Sequence, residues 1–233
     1  MGKANRKVVL GVGAHPDDLE FGAFGTFAKF ADKGYDCYYL ILTDGSKGSS
    51  DPKMTGSKLA QIREKEQIES AKMIGIKDVF FLKHKDGELT PDLKLRKEIV
   101  RYIRKLKPEI VITQDPTYMF SERFVNHADH RAAGTATIDA VFPAARNNMT
   151  FPELKKEGLL PHRVSQMYLA NMHNPNFAVD ISKYIDLKIK AMSKHQSQGV
   201  GRNAEFLRGM SANLGKKWGY KNAETFFKIE FAI

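Results

Sequence analysis

The hydrophobic positions of this chain fall into two kinds of segment that alternate. Short apolar runs bounded by polar or glycine residues predict strands at Lys7–Ala14 (KVVLGVGA), Tyr35–Thr43 (YDCYYLILT), Val79–Leu82, Glu109–Thr113 (EIVIT) and Val164–Ala170. Apolar residues at helical spacing predict helices over Phe21–Lys33, Ser57–Ile74, Pro91–Leu106, His130–Phe142 and Ile181–Gln196. Gly34 and Gly75 stand where a helix C-cap needs glycine, and Pro91 where a missing N–H is harmless. Ala204–Ile233 reads as helical and then extended. Strands alternating with helices predict βαβ units, hence an α/β protein with a mostly parallel central sheet and helices on both faces. No repeat or linker interrupts the pattern, so residues 1–233 read as one domain. Such sheets carry their chemistry in the loops after the strand carboxyl ends.

Two of these loops are rich in reactive side chains. After the first strand, His15-Pro16-Asp17-Asp18 places an imidazole and two carboxylates just before a helix. Capping and the helix dipole account for one Asp there, but not for the histidine or its rigid Pro-Asp-Asp continuation. After the fourth strand, Asn126-His127-Ala128-Asp129-His130-Arg131 places two histidines around an aspartate, again before a helix. Gly11-Val12-Gly13 begins like a dinucleotide turn. However, Pro16 replaces the third glycine, and Asp17 and Asp18 would repel a phosphate at that helix N-terminus.

Composition narrows the chemistry. The single Cys37 excludes an internal disulfide and a Cys-rich zinc module, so His and Asp must supply any metal ligands. No apolar run approaches the ~20 residues of a membrane span. The basic start, Met1 to Lys7, lacks the apolar core of a signal peptide, so a cytoplasmic location is expected. The net charge is +10, from 37 Lys plus Arg against 27 Asp plus Glu. Its densest run, RKEIVRYIRKLK at Arg96–Lys107, reads as a solvated helix face behind an apolar stripe of Ile99, Ile103 and Leu106. No nucleic-acid-binding signature accompanies it, so the surplus points to an acidic substrate around the pocket rather than to nucleic acid. His84, His162, His173 and His195 lie singly and read as packing or surface residues.

The segment AHPDDLEFGAFGT, followed downstream by HADHRAAG, resembles the LmbE-like, or PIG-L, zinc-dependent deacetylases of N-acetylglucosamine-containing substrates. LTDGSKG, Arg63 with Glu66, Ile74-Gly75-Ile76, Asp86-Gly87-Glu88-Leu89, Ala178–Gln198 and Ala223-Glu224-Thr225-Phe226 resemble further family stretches. The resemblance implies a three-layer Rossmann-like fold. It also implies Zn2+, or another divalent transition metal, held by His15, Asp18 and His130. By the same resemblance Asp17 would be the general base, and a protonated His127 would polarise the carbonyl or stabilise the oxyanion. Asp129 would orient a histidine, and Arg63 and Asp86 would contact an amino-sugar substrate. Ser46 replaces a common Glu and Ala128 a common Pro, and neither change removes a ligand. The short segment after Gln198 leaves room for a homo-oligomer to complete the pocket. Other readings are a zinc amidase of a non-sugar amide, a phosphoesterase on the same site, and a basic nucleic-acid-binding protein.

Overall fold

The computed structural model describes residues 6–122, 124–199 and 204–232; Met1–Asn5 of the basic start and the final Ile233 lie outside that range. In chain order the elements are β1 (Val8–Gly13), α1 (Asp18–Asp32), β2 (Asp36–Thr43), α2 (Gly56–Lys72), β3 (Asp78–His84), α3 (Leu93–Leu106), β4 (Ile110–Gln114), β5 (Phe120–Ser121), β6 (Phe124–Val125) and α4 (Ala128–Asp139). A π-helical turn (Ala140–Ala145) follows, then α5 (Pro152–Lys156), β7 (Gln166–Ala170), β8 (Phe177–Asp180), α6 (Ile185–Met192), a 3-10 turn (Gln196–Gln198), α7 (Ala204–Lys216) and β9 (Ala223–Glu230).

Seven strands form one sheet in the order β3-β2-β1-β4-β7-β9-β8. The pairs from β3 through β7 are parallel, and β9 runs antiparallel to both its neighbours. Side chains alternate across the pleat. Leu10, Val12, Leu40 and Leu42 pack with α3, α4 and α5 on one face. Val9, Tyr39 and Ile41 pack with α1, α2 and α6 on the other. Strands buried on both faces explain why β1 and β4 read as continuous apolar runs. The chain leaves β1 toward β2 and β3, then returns to β4 on the opposite side of β1. That reversal opens the crevice between the β1 and β4 loops, where ligands bind in sheets of this kind.

The Gly11-Val12-Gly13 run serves packing rather than phosphate. A Cβ on Gly11 would meet Phe27 Cζ at 2.7 Å and Leu19 Cδ1 at 2.9 Å, so the glycine lets α1 lie close on β1. Most element boundaries agree with the pattern to within a few residues. Helix α1 starts at Asp18 rather than Phe21, and α3 at Leu93, where Asp92 rather than Pro91 sets the end by accepting from Leu95 N. The stretch expected to be helical over Ile181–Gln196 holds α6 and then a short 3-10 turn. The helix expected over His130–Phe142 ends at Asp139, where the π turn carrying Pro143 begins. The pattern also missed β8 and the β5–β6 hairpin, which are too short to show a period.

The α3 face is not solvated throughout. Arg104 is buried, and its guanidinium donates to the carbonyls of Ala144, Ala145, Asn147 and Thr150, fixing the turn beyond α4. Helix α4 itself depends on Gly134, where a Cβ would meet Gln114 O at 2.4 Å and Pro116 Cδ at 2.8 Å. Gly134→Ala should therefore destabilise the protein by about 1–3 kcal/mol through forced separation of α4 from β4. Thermal denaturation checks this: a fall of several degrees is expected, and an unchanged midpoint would contradict the packing account.

Candidate metal centre

The loop after β1 is held from several sides. Ala14 donates to Gln114 Oε1 (3.0 Å) and accepts from Thr43 N (2.8 Å), joining the ends of β1, β2 and β4. His15 N donates to Asp18 Oδ2 (2.6 Å), which folds the Pro16-Asp17 turn back onto itself. These ties put the side chains of His15, Asp17 and Asp18 beside His127 and His130, which α4 presents from the β4 side.

The His15 imidazole faces two ways. Its Nδ1 lies 3.4 Å from Asp18 Oδ2 and 3.3 Å from His130 Nε2, and His130 Nε2 lies 3.1 Å from Asp18 Oδ1. Its Nε2 lies 3.1 Å from both Asp86 Oδ1 and Asp129 Oδ2. Asp129 is anchored by the N–H groups of Gly87 (2.7 Å) and Leu89 (3.2 Å), and Asp86 by that of Lys47 (2.9 Å). His130 Nδ1 in turn meets Asn126 Oδ1 at 3.3 Å. Both histidines thus have one nitrogen held by an oxygen partner and the other turned toward Asp18, the usual outer support of a metal-ligating imidazole.

The Nδ1–Asp18–Nε2 trio has the dimensions of a metal site. Ligands at about 2.0–2.2 Å in tetrahedral geometry are roughly 3.4 Å apart, close to the spacings seen here. Two further groupings share His15: His15–His127–His130 and His15–Asp86–Asp129. The second has both Asp129 oxygens engaged by backbone N–H groups, and Asp129 does not border the cavity described below. The electrostatics also demand a cation at His15. Burial disfavours the imidazolium, but Asp18, Asp129 and Asp86 outweigh it and push its pKa up to about 12. Burial likewise opposes ionisation of Asp18, yet His130 and His15 hold it well below the usual carboxylate range. His130 is raised against its burial by Asp18.

Asp17 behaves differently from its neighbour. Burial raises its carboxyl to about 7, against the pull of Arg63, whose Nη2 lies 3.3 Å away. His127 accepts the Asp129 N–H at Nδ1 (3.1 Å), so its proton sits on Nε2. Burial, with His15 nearby, lowers the His127 pKa. The expectation of a protonated His127 therefore gives way to a neutral imidazole able to donate from Nε2.

These groups border a cavity of about 570 Å³ lined by His15, Asp17, Asp18, Arg63, Asp86, His127 and His130. Phe21, Met172, Met192, Met210 and Leu214 supply an apolar wall, so α7 of the same chain closes part of the pocket. The basic surplus does not accumulate here. Lys47, Arg63 and Lys188 line the cavity, and each is paired with a carboxylate: Glu88, Asp17 and Glu224. Arg63 also donates to Gly45 O (3.0 Å) and Pro16 O (2.6 Å), so its guanidinium serves the loop as well as the cavity. His173 lines the cavity, stacked on Tyr118, while His195 is buried; His84 pairs with Glu98 and His162 meets Pro108 O.

The sheet and this crevice define an α/β protein with a centre of two histidines and one aspartate at its topological switch point. Residues 10–141 match the PIG-L family, described as GlcNAc-PI de-N-acetylase, and the chain belongs to that family. It is 38% identical over 222 residues to a diacetylchitobiose deacetylase of Thermococcus kodakarensis, covering 94% of this chain and 81% of the relative. It is 29% identical to a probable N-acetyl-alpha-D-glucosaminyl L-malate deacetylase 2 of Bacillus anthracis, covering 97% of each. Its fold matches an N,N'-diacetylchitobiose deacetylase from Pyrococcus horikoshii, solved with an inhibitor, with a TM-score of 0.89 and 34% identity over 97% of this chain and 85% of that one. The relatives are amide hydrolases by name and the family is metal-dependent. No helix among the described residues is long and apolar enough to cross a membrane.

Sequence reasoning gave no role to the buried residues that support the centre: Asn126, Glu20 and the Lys188–Glu224 pair, which lie within the quoted stretches, and Gln67, which does not. Each is an ordinary polar residue within a helix, strand or loop, and only burial reveals its task. Lys188 Nζ meets Glu224 Oε1 and Phe21 O at 2.6 Å each, and Glu224 accepts the N–H groups of Gly25 and Thr26. The pair therefore ties α1, α6 and β9 together under the cavity. Lys188→Met should destabilise the protein by about 3–5 kcal/mol, because it leaves Glu224 buried and uncompensated. Lys188→Met with Glu224→Gln should recover much of that loss in denaturant unfolding; an equally unstable double variant would contradict the pairing.

Proposed function

We propose that this protein is a zinc-dependent N-deacetylase that hydrolyses the acetamide of an N-acetylglucosamine-type sugar. The observation that carries the reading is the convergence of His15 Nδ1 and His130 Nε2, 3.3 Å apart, on the Asp18 carboxylate, whose Oδ2 lies 3.4 Å from the first and whose Oδ1 lies 3.1 Å from the second, on the cavity wall that Asp17 also lines. The named activities of the relatives supply the substrate class. His15, Asp18 and His130 would hold the metal, with Asp129 and Asn126 orienting the two imidazoles. When bound, the metal lowers the pKa of a water and polarises the amide carbonyl.

The chain's own groups complete the chemistry. Asp17, with its pKa near neutrality, takes a proton from the attacking water, whose oxygen bonds to the acetamide carbon. It returns the proton to the nitrogen as the carbon–nitrogen bond breaks, releasing acetate and a free amine. His127 donates its Nε2 proton as a hydrogen bond to the developing oxyanion, a type of interaction that contributes a large share of such catalysis. Asp86 and Arg63, which border the same cavity, would contact sugar hydroxyls. The paired cations of the lining favour a neutral sugar over an acidic one. A cytoplasmic setting is consistent with the single buried thiol, Cys37.

Metal analysis and a panel of N-acetylated amino sugars, assayed for free-amine release, test the reading. The wild-type protein should carry about one zinc per chain and lose turnover to a chelator. The His15→Ala, His130→Ala double variant should lose the metal. Asp17→Asn should keep the metal and lose about 10²–10⁴-fold in turnover. Undiminished zinc in the double variant, or wild-type turnover in Asp17→Asn, would contradict the assignment.

A further inference from the structure

We propose that Gln67, oriented by Glu20, is a positioning residue for Asp17, and that with Arg63 it grips both ends of the Pro16–Asp17 peptide. The starting observation is the backbone of Asp17. Its φ of 105° and ψ of −23° are uncommon for a residue other than glycine, and its side chain caps no helix N–H. Such a conformation persists where the surroundings over-determine it, and those surroundings are visible. Arg63 Nη2 donates to the carbonyl of Pro16 at 2.6 Å. Asp17 N donates to Gln67 Oε1 at 2.9 Å. That carbonyl and that N–H belong to one planar peptide and point in opposite directions. Arg63 and Gln67 stand four residues apart on α2 and therefore share a face of the helix.

The grip fixes the peptide plane. Turning this plane by about half a turn about the Cα–Cα line would carry the Asp17 φ to roughly −75°, in the ordinary region, and would reverse the carbonyl and the N–H that the two side chains hold. The same turn would point the Pro16 carbonyl at Gln67 and the Asp17 N–H at the Arg63 guanidinium, which has donors only. Glu20 removes the remaining freedom. Gln67 Nε2 donates to Glu20 Oε1 at 2.6 Å, so the amide oxygen is left facing Asp17. Gln67 and Glu20 are both fully buried, so no water competes for either contact. Glu20 lies in α1 one turn beyond Asp17, which closes the circuit from the loop through α2 and back to the helix the loop begins.

The inference rests on the reading of Asp17 as general base. The test compares metal-loaded wild type with Gln67→Met, the Gln67→Glu, Glu20→Gln pair, Asp17→Asn and the Asp17→Asn, Gln67→Met double variant. It measures kcat and KM per bound metal on N,N'-diacetylchitobiose. Gln67→Met is expected to lower kcat about tenfold to a hundredfold while KM and metal content stay near wild type. Gln67→Glu keeps an acceptor for the Asp17 N–H but loses the donor to Glu20, so it is made together with Glu20→Gln, which restores that donor, and the pair should retain a larger share of kcat than Gln67→Met. The double variant should be no slower than Asp17→Asn alone, since Gln67 acts through the group already removed. Wild-type kcat in Gln67→Met, or a double variant whose loss is the product of the two single losses, would overturn the proposal. If Gln67→Met does not fold, Gln67→Asn keeps an amide that cannot reach Asp17 and is read by the same criteria. Wild-type turnover in Asp17→Asn would instead overturn the role of Asp17, and this inference with it.

Discussion

The site depends on one imidazole held on both sides. His15 Nε2 meets the carboxylates of Asp86 and Asp129, each 3.1 Å away, and this leaves Nδ1 turned to Asp18 and His130. If those carboxylates were missing, the ring could turn and the three ligand atoms would not converge. The carboxylates are themselves fixed by backbone N–H groups of Lys47, Gly87 and Leu89, so the Asp86-Gly87-Glu88-Leu89 turn acts as the anvil for the centre. Three carboxylates around one buried imidazole also require positive charge. A proton on His15 meets that need, and the proposed divalent ion would take its place, which would couple metal affinity to pH.

The adjacency of Asp17 and Asp18 has a structural explanation. The two carboxylates share a loop, but their environments separate them: His130 and His15 keep Asp18 ionised, whereas burial lifts Asp17 to about 7. Titratable pairs whose surroundings push their pKa values apart mark separate acid–base tasks, which fits the proposed roles of Asp18 as ligand and Asp17 as proton carrier. The left-handed backbone at Asp17 is held by buried contacts from α2, where Gln67 accepts the Asp17 N–H and Arg63 donates to the Pro16 carbonyl. Fold and chemistry meet at the reversal of strand order beside β1, which brings the β1 and β4 loops to one crevice.

Much of this could be read from the sequence. The alternation of apolar runs gave the five parallel strands and their helices because buried parallel strands and amphipathic helices leave strong periodic patterns. Edge strand β8, the β5–β6 hairpin and the antiparallel course of β9 left none, because two to four residues are too few for a period and strand direction is set by tertiary contacts. In the site, His15, Asp17, Asp18, His127, Asp129 and His130 stood out because reactive side chains clustered just after strands. Gln67 and Glu20 did not, because a glutamine and a glutamate in helices look like surface residues until both are found buried. The +10 charge was the weaker guide: among the described residues the cations that line the cavity, Lys47, Arg63 and Lys188, are each paired with a carboxylate.

The central claim is that His15 Nδ1, Asp18 and His130 Nε2 hold a single ion while Asp17 stays free. Anomalous diffraction at the zinc edge from crystals of the zinc-loaded protein tests it most directly. The account predicts one peak per chain, about 2.0–2.2 Å from those three side chains, with no bond from Asp17. A peak between His15 Nε2, Asp86 and Asp129, or an ion ligated by Asp17, would contradict it.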